Sequence, residues 1–103
     1  MNNTYNSVPV LLILFNRPEY LLEMTSSLNK VNPSKIYIHI DGPRDSEDSN
    51  KIKEIKKMIN KINPNIDKEI FSQDKNLGCG LGMVTAIDWF FENEDFGIIL
   101  EDD

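Results

Sequence analysis

Apolar residues fall into four short runs that are typical of β-strands. The first, Val8 to Phe15, is continuously apolar, as in a strand covered on both faces of a parallel sheet. Lys35 to Ile40 is the second run, and Gly97 to Leu100 is the last. Asp67 to Ser72 is shorter and more polar, so we place it near an edge of the sheet. The pattern predicts four strands.

Between these runs, apolar residues recur at helical spacing. Pro18 suits a first helical turn, so a helix should run from about Pro18 to Lys30. Ser46 or Asp48 is a candidate cap for a second helix, and a third follows a glycine-rich stretch. The expected apolar face of the first helix is Leu21, Met24 or Thr25, Leu28 and Val31. That of the second is Ile52, Ile55, Met58 or Ile59 and Ile62. That of the third is Leu81, Val84, Ile87 or Asp88 and Phe91, broadened by Trp89 and Phe90.

The resulting order, β-α-β-α-β-α-β, predicts an α/β domain over residues 1–103, with a mainly parallel sheet between two helical layers. Ligands of such sheets bind at the carboxyl ends of the strands, where the strand order reverses. Four segments are expected to meet there: Asn16-Arg17, Asp41-Gly42, the loop Asn76–Gly82 with sequence NLGCGLG, and Glu101-Asp102-Asp103.

Composition narrows the functional classes. A formal net charge of -6 disfavours binding to nucleic-acid backbones. The single cysteine, Cys79, excludes an internal disulfide and is compatible with a reducing cytoplasm, where we expect the protein to reside. The first seven residues carry no basic charge and Val8 to Phe15 is too short to span a bilayer, so we expect neither signal peptide nor membrane helix.

The acidic end of the sequence suggests a metal site. No Lys or Arg occurs from Asn76 onward, and Glu101, Asp102 and Asp103 would repel one another without a cation. Mg²⁺ and Mn²⁺ prefer oxygen ligands, and Mg²⁺ is commonly held by one or two carboxylates together with water and phosphates. Such a cation could stabilise a leaving diphosphate. Acidic residues after a strand also commonly begin a loop or cap a helix, and both interpretations stay open.

The other three segments have functional and purely structural interpretations. Arg17 could bind a phosphate or a base oxygen, or be a surface residue before a helix. Asp41 could accept a hydrogen bond from a ribose or base, although Asp-Gly-Pro is also an ordinary turn. Gly78, Gly80 and Gly82 alternate, which does not fit a dinucleotide fingerprint; the loop either lies against a nucleotide or simply makes a tight turn. His39 lies within a strand and is expected to be packed or hydrogen-bonded, without a catalytic role.

Together, LLILFNRPEYL, IYIHIDGPRD, KNLGCGLGMVTAIDWFF and GIILEDD resemble the N-terminal half of a GT-A fold glycosyltransferase, closest to the N-acetylglucosaminyltransferase I type. The resemblance implies that a UDP-sugar and Mn²⁺ or Mg²⁺ bind here, with Asn16 and Arg17 near the nucleotide and Asp41 on uracil or ribose. Asn76, Gly78 and Gly82 would help enclose the donor. Asp103 would ligate the metal, with Glu101 as a further ligand, and Glu101 and Asp102 would hold ribose, sugar or metal-bound water.

In that family the acceptor site and catalytic base lie downstream of the acidic motif. We therefore interpret the chain as a truncated donor-binding half of an inverting enzyme, acting on an unidentified hydroxyl acceptor, and expect little or no transfer by it alone. The family topology would leave strand four with an open edge, which predicts a homo-oligomer. Two alternatives are a non-catalytic interaction domain and a receiver-like signalling domain; Asn16 and Arg17 disfavour the latter, because receivers need an acidic pair there.

Overall fold

The computed structural model describes residues 8 to 102, which form a four-stranded, all-parallel sheet and three helices. In chain order the elements are β1 (Val10–Leu14), α1 (Pro18–Val31), β2 (Lys35–Ile40), α2 (Ser46–Ile59), β3 (Asp67–Ser72), α3 (Cys79–Asn93) and β4 (Ile98–Glu101). The predicted α/β class and element order are confirmed. The first strand is shorter than predicted, because pairing is confined to Val10–Leu14.

The strands lie in the order β3-β2-β1-β4. The chain therefore moves outward from β1 to β3 and then returns to the opposite side of β1. Right-handed crossovers place helices on opposite faces when this direction reverses. Accordingly, α1 and α2 pack on one face of the sheet, and α3 packs on the other. The reversal lies between β1 and β4, and β3 is at an edge, as the sequence predicted.

The main core lies beneath α1 and α2 and is entirely aliphatic where it is fully buried. Its strand residues alternate with those that face α3, as the twofold period of a strand requires. The buried residues of this core are Val10, Leu12, Leu14, Leu21, Leu28, Ile36, Ile38, Ile40, Ile52, Ile55, Ile59, Ile62 and Ile66. Ile62 thus packs as expected, although α2 ends before it, at Ile59.

The predicted apolar face of α3 was wrong in part: Phe90 is buried, and Ile87 and Trp89 pack beside it, as predicted, but the other predicted residues are exposed. The helix buries Gly82, Ala86 and Phe90, whereas Leu81, Val84 and Phe91 are exposed. The two small residues allow α3 to lie close to the sheet and the Asp41 carboxylate, and Phe90 packs edge-on against the Tyr37 ring at 5.1 Å. The orientation of α3 is therefore set by the close packing of its small residues against the sheet. This packing outweighs the burial of the larger apolar side chains on the other side of the helix.

The predicted cap of α2 was also wrong. Asp45 is the N-cap, and its side chain accepts a hydrogen bond from the Asp48 N–H at 2.9 Å. Asp45 is one residue before Ser46 and has the extended backbone typical of a cap, whereas Ser46 is already helical. The side chain of Asp48 does not cap the helix and instead makes contacts at the candidate site, described below.

β4 is a sheet edge within the described residues. It pairs with β1 on one side, and Ile98 and Ile99 on it are exposed, as is Phe96 just before it. The predicted open edge is thus present, and oligomerisation through it stays a prediction. Within residues 8–102, no helix combines the length and the apolar character needed to cross a membrane.

Candidate functional site

A cavity of about 420 Å³ lies at the carboxyl ends of β1, β2 and β4, where the strand order reverses. This volume is within the range of small-molecule sites. All eight of the predicted site residues that the structure describes line this cavity, together with seven others. The predicted ones are Asn16, Arg17, Asp41, Asn76, Gly78, Gly82, Glu101 and Asp102. Asp103, the predicted metal ligand, lies outside the described residues.

Asp41 holds the glycine-rich loop against the end of β2. Its Oδ1 accepts hydrogen bonds from the Gly42 and Leu77 backbone N–H groups, both at 2.8 Å. Its Oδ2 accepts from the Gly78 N–H and the Asn76 side-chain amide, both at 3.2 Å. Four donors saturate the usual acceptor positions of one carboxylate. Asp41 therefore acts here as the internal anion that shapes one wall of the cavity.

The same contacts explain the glycines of the loop. Gly78 has a φ of 88°, a conformation that favours glycine, and directly precedes α3. Gly42 lies so close to the loop that a Cβ on it would meet the Lys75 backbone carbonyl carbon at 2.4 Å. Because Leu77 and Gly78 already donate to Asp41, their amides are not free to cradle a phosphate. The positive end of α3 thus has an anion supplied by the protein itself.

Asp48 joins the β1–α1 loop to the β2–α2 loop. Its carboxylate is buried and accepts hydrogen bonds from the Asn16 side-chain amide at 2.8 Å, the Arg44 N–H at 3.0 Å, and the Arg44 Nε and Nη2 at 2.8 and 3.3 Å. The Arg44 guanidinium is the main cause that holds the pKa of Asp48 well below its usual range, against the opposing effect of burial. The Asp48 carboxylate thus holds the side chains of Asn16 and Arg44 at the cavity wall.

Two cationic side chains lie at the rim. Arg17 is exposed, and its guanidinium carbon is 5.5 Å from the centroid of the Tyr20 ring. Arg44 is also exposed, and its guanidinium carbon is 5.1 Å from the centroid of the Phe15 ring. Stacking on aromatic rings limits the freedom of both guanidinium groups. The rim therefore presents two partly ordered guanidinium groups to an anionic ligand, and the charge of Arg44 is partly balanced by Asp48.

The carboxylates at the end of β4 are near the same rim. Asp102 Oδ2 accepts a hydrogen bond from the Phe15 N–H at 2.6 Å, and the Asp102 N–H donates to the Ile13 carbonyl at 3.2 Å. Glu101, in register with Ile13, is exposed. Within residues 8–102, no group of three or more His, Cys, Asp or Glu side chains is arranged to hold a metal ion. A cation here would depend on these two carboxylates together with oxygens from a ligand or water.

His39 is completely buried and also lines the cavity. Its ring packs edge-on against Phe71, with centroids 5.4 Å apart, and Nε2 lies 3.2 Å from the Gln73 side-chain nitrogen. Burial lowers the pKa of His39, although the Asp41 carboxylate opposes this effect. The sequence predicted a packed or hydrogen-bonded histidine, and this is confirmed. Its place at the cavity was not predicted.

The sequence alone did not indicate Phe15, Arg44 and Met83 as cavity residues, or Asp48 as the partner of Arg44. Arg44 and Asp48 carry a signal that could have been recognised, since opposite charges four residues apart often pair at a helix start. Comparison of the chain with protein-family models, curated proteins and solved structures gives no match. The functional inference therefore depends on the cavity and the sequence motifs.

Proposed function

We propose that this cavity binds a nucleoside diphosphate sugar, most simply a UDP-sugar, together with Mn²⁺ or Mg²⁺. The chain would then be the donor-binding part of an inverting glycosyltransferase that transfers the sugar to an acceptor hydroxyl. The observation that carries the proposal is the convergence of the eight described candidate residues, spread over residues 16 to 102, on one cavity at the switch point of the sheet.

The distribution of charge supports a ligand with an anionic end. Arg17 is exposed at the rim and can meet phosphate oxygens with a planar, multidentate fork; Arg44 is exposed there too, although its Nε and Nη2 already donate to Asp48. Asp41 and Asp48, in contrast, are buried and engaged with the protein's own donors. The chain's own residues would thus position a diphosphate near solvent and leave the interior of the cavity for the uncharged part of the nucleotide.

Glu101 and Asp102 have the donor type that a divalent cation requires, and two carboxylates suffice where phosphates and water provide the other ligands. When bound, such a cation supplies positive charge that stabilises a leaving diphosphate. Asp102 has a second task, because it anchors the Phe15 N–H at the end of β1. None of the cavity residues is assigned to deprotonate an acceptor.

The single cysteine offers a direct binding test. Cys79 is exposed at the start of α3 and lines the cavity, so its alkylation reports on ligand occupancy. The alkylation rate, followed by mass spectrometry, should fall as UDP is added with Mg²⁺, and calorimetric titration should give the same affinity. Uridine, which lacks the diphosphate, should protect more weakly. Unchanged alkylation and no heat at millimolar UDP would refute the proposal.

The cation is tested separately with Glu101→Gln. This change removes one exposed charge from the end of β4 and should weaken UDP binding in Mg²⁺, while binding in EDTA changes little. Glu92→Gln is the matched control, since Glu92 is also an exposed acid in the region without lysines or arginines but does not line the cavity. Equal effects of the two variants would show only a general charge effect.

One observation favours the non-catalytic interaction domain as a second candidate. Leu81, Val84, Phe91, Phe96, Ile98 and Ile99 are all exposed on α3, on β4 or between them. Where exposed apolar residues form a contiguous patch, they often mark protein contacts. The UDP titration separates the two functions, because an interaction domain of this kind has no reason to bind UDP in competition with alkylation of Cys79.

A further inference from the structure

The buried His39 ring leaves one hydrogen-bonding position unused. Its Nε2 is near the Gln73 amide nitrogen at 3.2 Å, but Nδ1 has no partner among residues 8–102, although the residue is 0% exposed. Buried polar side-chain atoms nearly always have a partner, and an unpaired one costs free energy. His39 lines the cavity, so a ligand atom that moves aside the groups covering Nδ1 is a candidate partner for it.

The neighbours of His39 define which atom it needs. In the orientation of the Gln73 side chain seen here, its amide nitrogen donates to Nε2, and the proton of the neutral ring is then on Nδ1. The low pKa that burial gives His39 agrees with a neutral ring. Nδ1–H is therefore a donor that requires an acceptor oxygen or nitrogen.

The part of the ligand that reaches His39 should be uncharged. Burial of a phosphate is costly without paired cations, and the two arginines of the cavity lie exposed at its rim. Directly after β2, the Asp41 carboxylate lies two residues beyond His39 and would repel a phosphate. On β1, the residue in register with His39 is the apolar Ile13. A flat, neutral group with a carbonyl oxygen fits these surroundings.

We propose that His39 Nδ1–H donates a hydrogen bond to a carbonyl oxygen of the nucleobase and thereby determines base recognition. This inference rests on the proposed function. It gives His39 a role in specificity that its position inside a strand does not reveal. The diphosphate is left to the rim, so the two ends of the ligand are recognised by separate residues.

The chain contains one histidine, so its ring nitrogens can be observed by NMR without ambiguity. In a long-range ¹⁵N–¹H spectrum of the uniformly labelled chain, UDP with Mg²⁺ should shift the Nδ1 resonance more than Nε2. Inorganic pyrophosphate with Mg²⁺ should leave Nδ1 unchanged. A Nδ1 resonance that does not move at saturating UDP would overturn the inference, even where Cys79 protection shows that UDP is bound.

Substitution gives an independent readout. His39→Phe keeps an aromatic ring against Phe71 and should weaken UDP binding by about 3- to 10-fold, the effect of one hydrogen bond, with pyrophosphate binding unchanged. Tyr37→Phe is the matched control. Tyr37 lies on the same face of β2 as His39 but does not line the cavity, and the substitution removes its 2.6 Å hydrogen bond to Glu94.

The outcomes separate the two proposals. Equal losses of UDP and pyrophosphate binding in His39→Phe, or no loss of either, would assign His39 a structural role and overturn the inference while the proposed function stands. Failure of the unmodified chain to bind UDP would refute the proposed function and this inference with it. If His39→Phe does not fold, the ring-nitrogen shifts of the unmodified chain still decide.

Discussion

Substitution of Asp41 by Asn tests whether one carboxylate holds the cavity wall in place. The change is nearly isosteric, but it replaces one acceptor oxygen by an NH₂ group. The amide oxygen can keep the two 2.8 Å bonds from Gly42 and Leu77. The NH₂ group then faces the Gly78 N–H and the Asn76 amide, which are both donors. In the unmodified chain, each of them lies 3.2 Å from the Asp41 carboxylate.

The magnitude follows from the two bonds that are lost. A hydrogen bond to a charged group contributes about 1.5–3 kcal/mol, and an unpaired buried donor costs about 1–3 kcal/mol. Gly78 and Asn76 are only half-buried, so water can reach them and the lower values apply. We expect a loss of about 2–4 kcal/mol, a large fraction of the 5–15 kcal/mol of a typical domain. The midpoint of thermal unfolding should fall by at least about 8 °C.

Urea denaturation followed by circular dichroism measures this loss. Asp74→Asn is the control, because Asp74 is exposed on the same loop and undergoes the same chemical change. It should alter the free energy of unfolding by less than about 0.5 kcal/mol. Should Asp41→Asn be equally neutral, the carboxylate would not be the anchor of the loop. A large loss with unaltered alkylation of Cys79 would show that the loop keeps its shape by other means.

Three further predictions concern packing, pH and association. Gly97→Ala should destabilise by about 1–3 kcal/mol in urea, because its Cβ would lie 2.4 Å from the Phe90 ring, whereas Gly80→Ala, with nothing within 4 Å, should not. Asp48 has a lower pKa in the folded than in the unfolded chain, so the free energy of unfolding should fall as the pH drops below about 4. In Asp48→Asn this fall should be shallower. An unchanged dependence on pH would show that Asp48 is not a source of the acid sensitivity. Light scattering over a concentration series should show self-association that Ile99→Lys, on the open edge, reduces; a monomer at all concentrations would argue against an oligomer.

The order of strands and helices along the chain and the parallel arrangement of the sheet could be predicted because they depend on patterns that extend over many residues. The apolar run of β1 requires cover on both faces, and the alternating strands and helices leave few topologies. The convergence of Arg17, Asp41 and Glu101 follows from that topology, because the carboxyl ends of parallel strands meet.

What could not be predicted depends on particular contacts between distant residues. The orientation of α3 follows from the fit of Gly82 against Asp41, which the helical periodicity does not encode. Asp48 was considered only as a cap, since nothing in the local sequence shows that Asn16 reaches it from 32 residues away. The unused Nδ1 of His39 is visible only when every neighbour of the ring is in place.

The short β4 strand has a consequence for hydrogen exchange. Only β1 pairs with it within the described chain, and three of its four residues are exposed. Regions with few buried contacts open at low free energy. Amide protons of β4 should therefore exchange with solvent sooner than those of β1 and β2. The side of the cavity formed by Glu101 and Asp102 should then open locally more often than the side formed by Asp41.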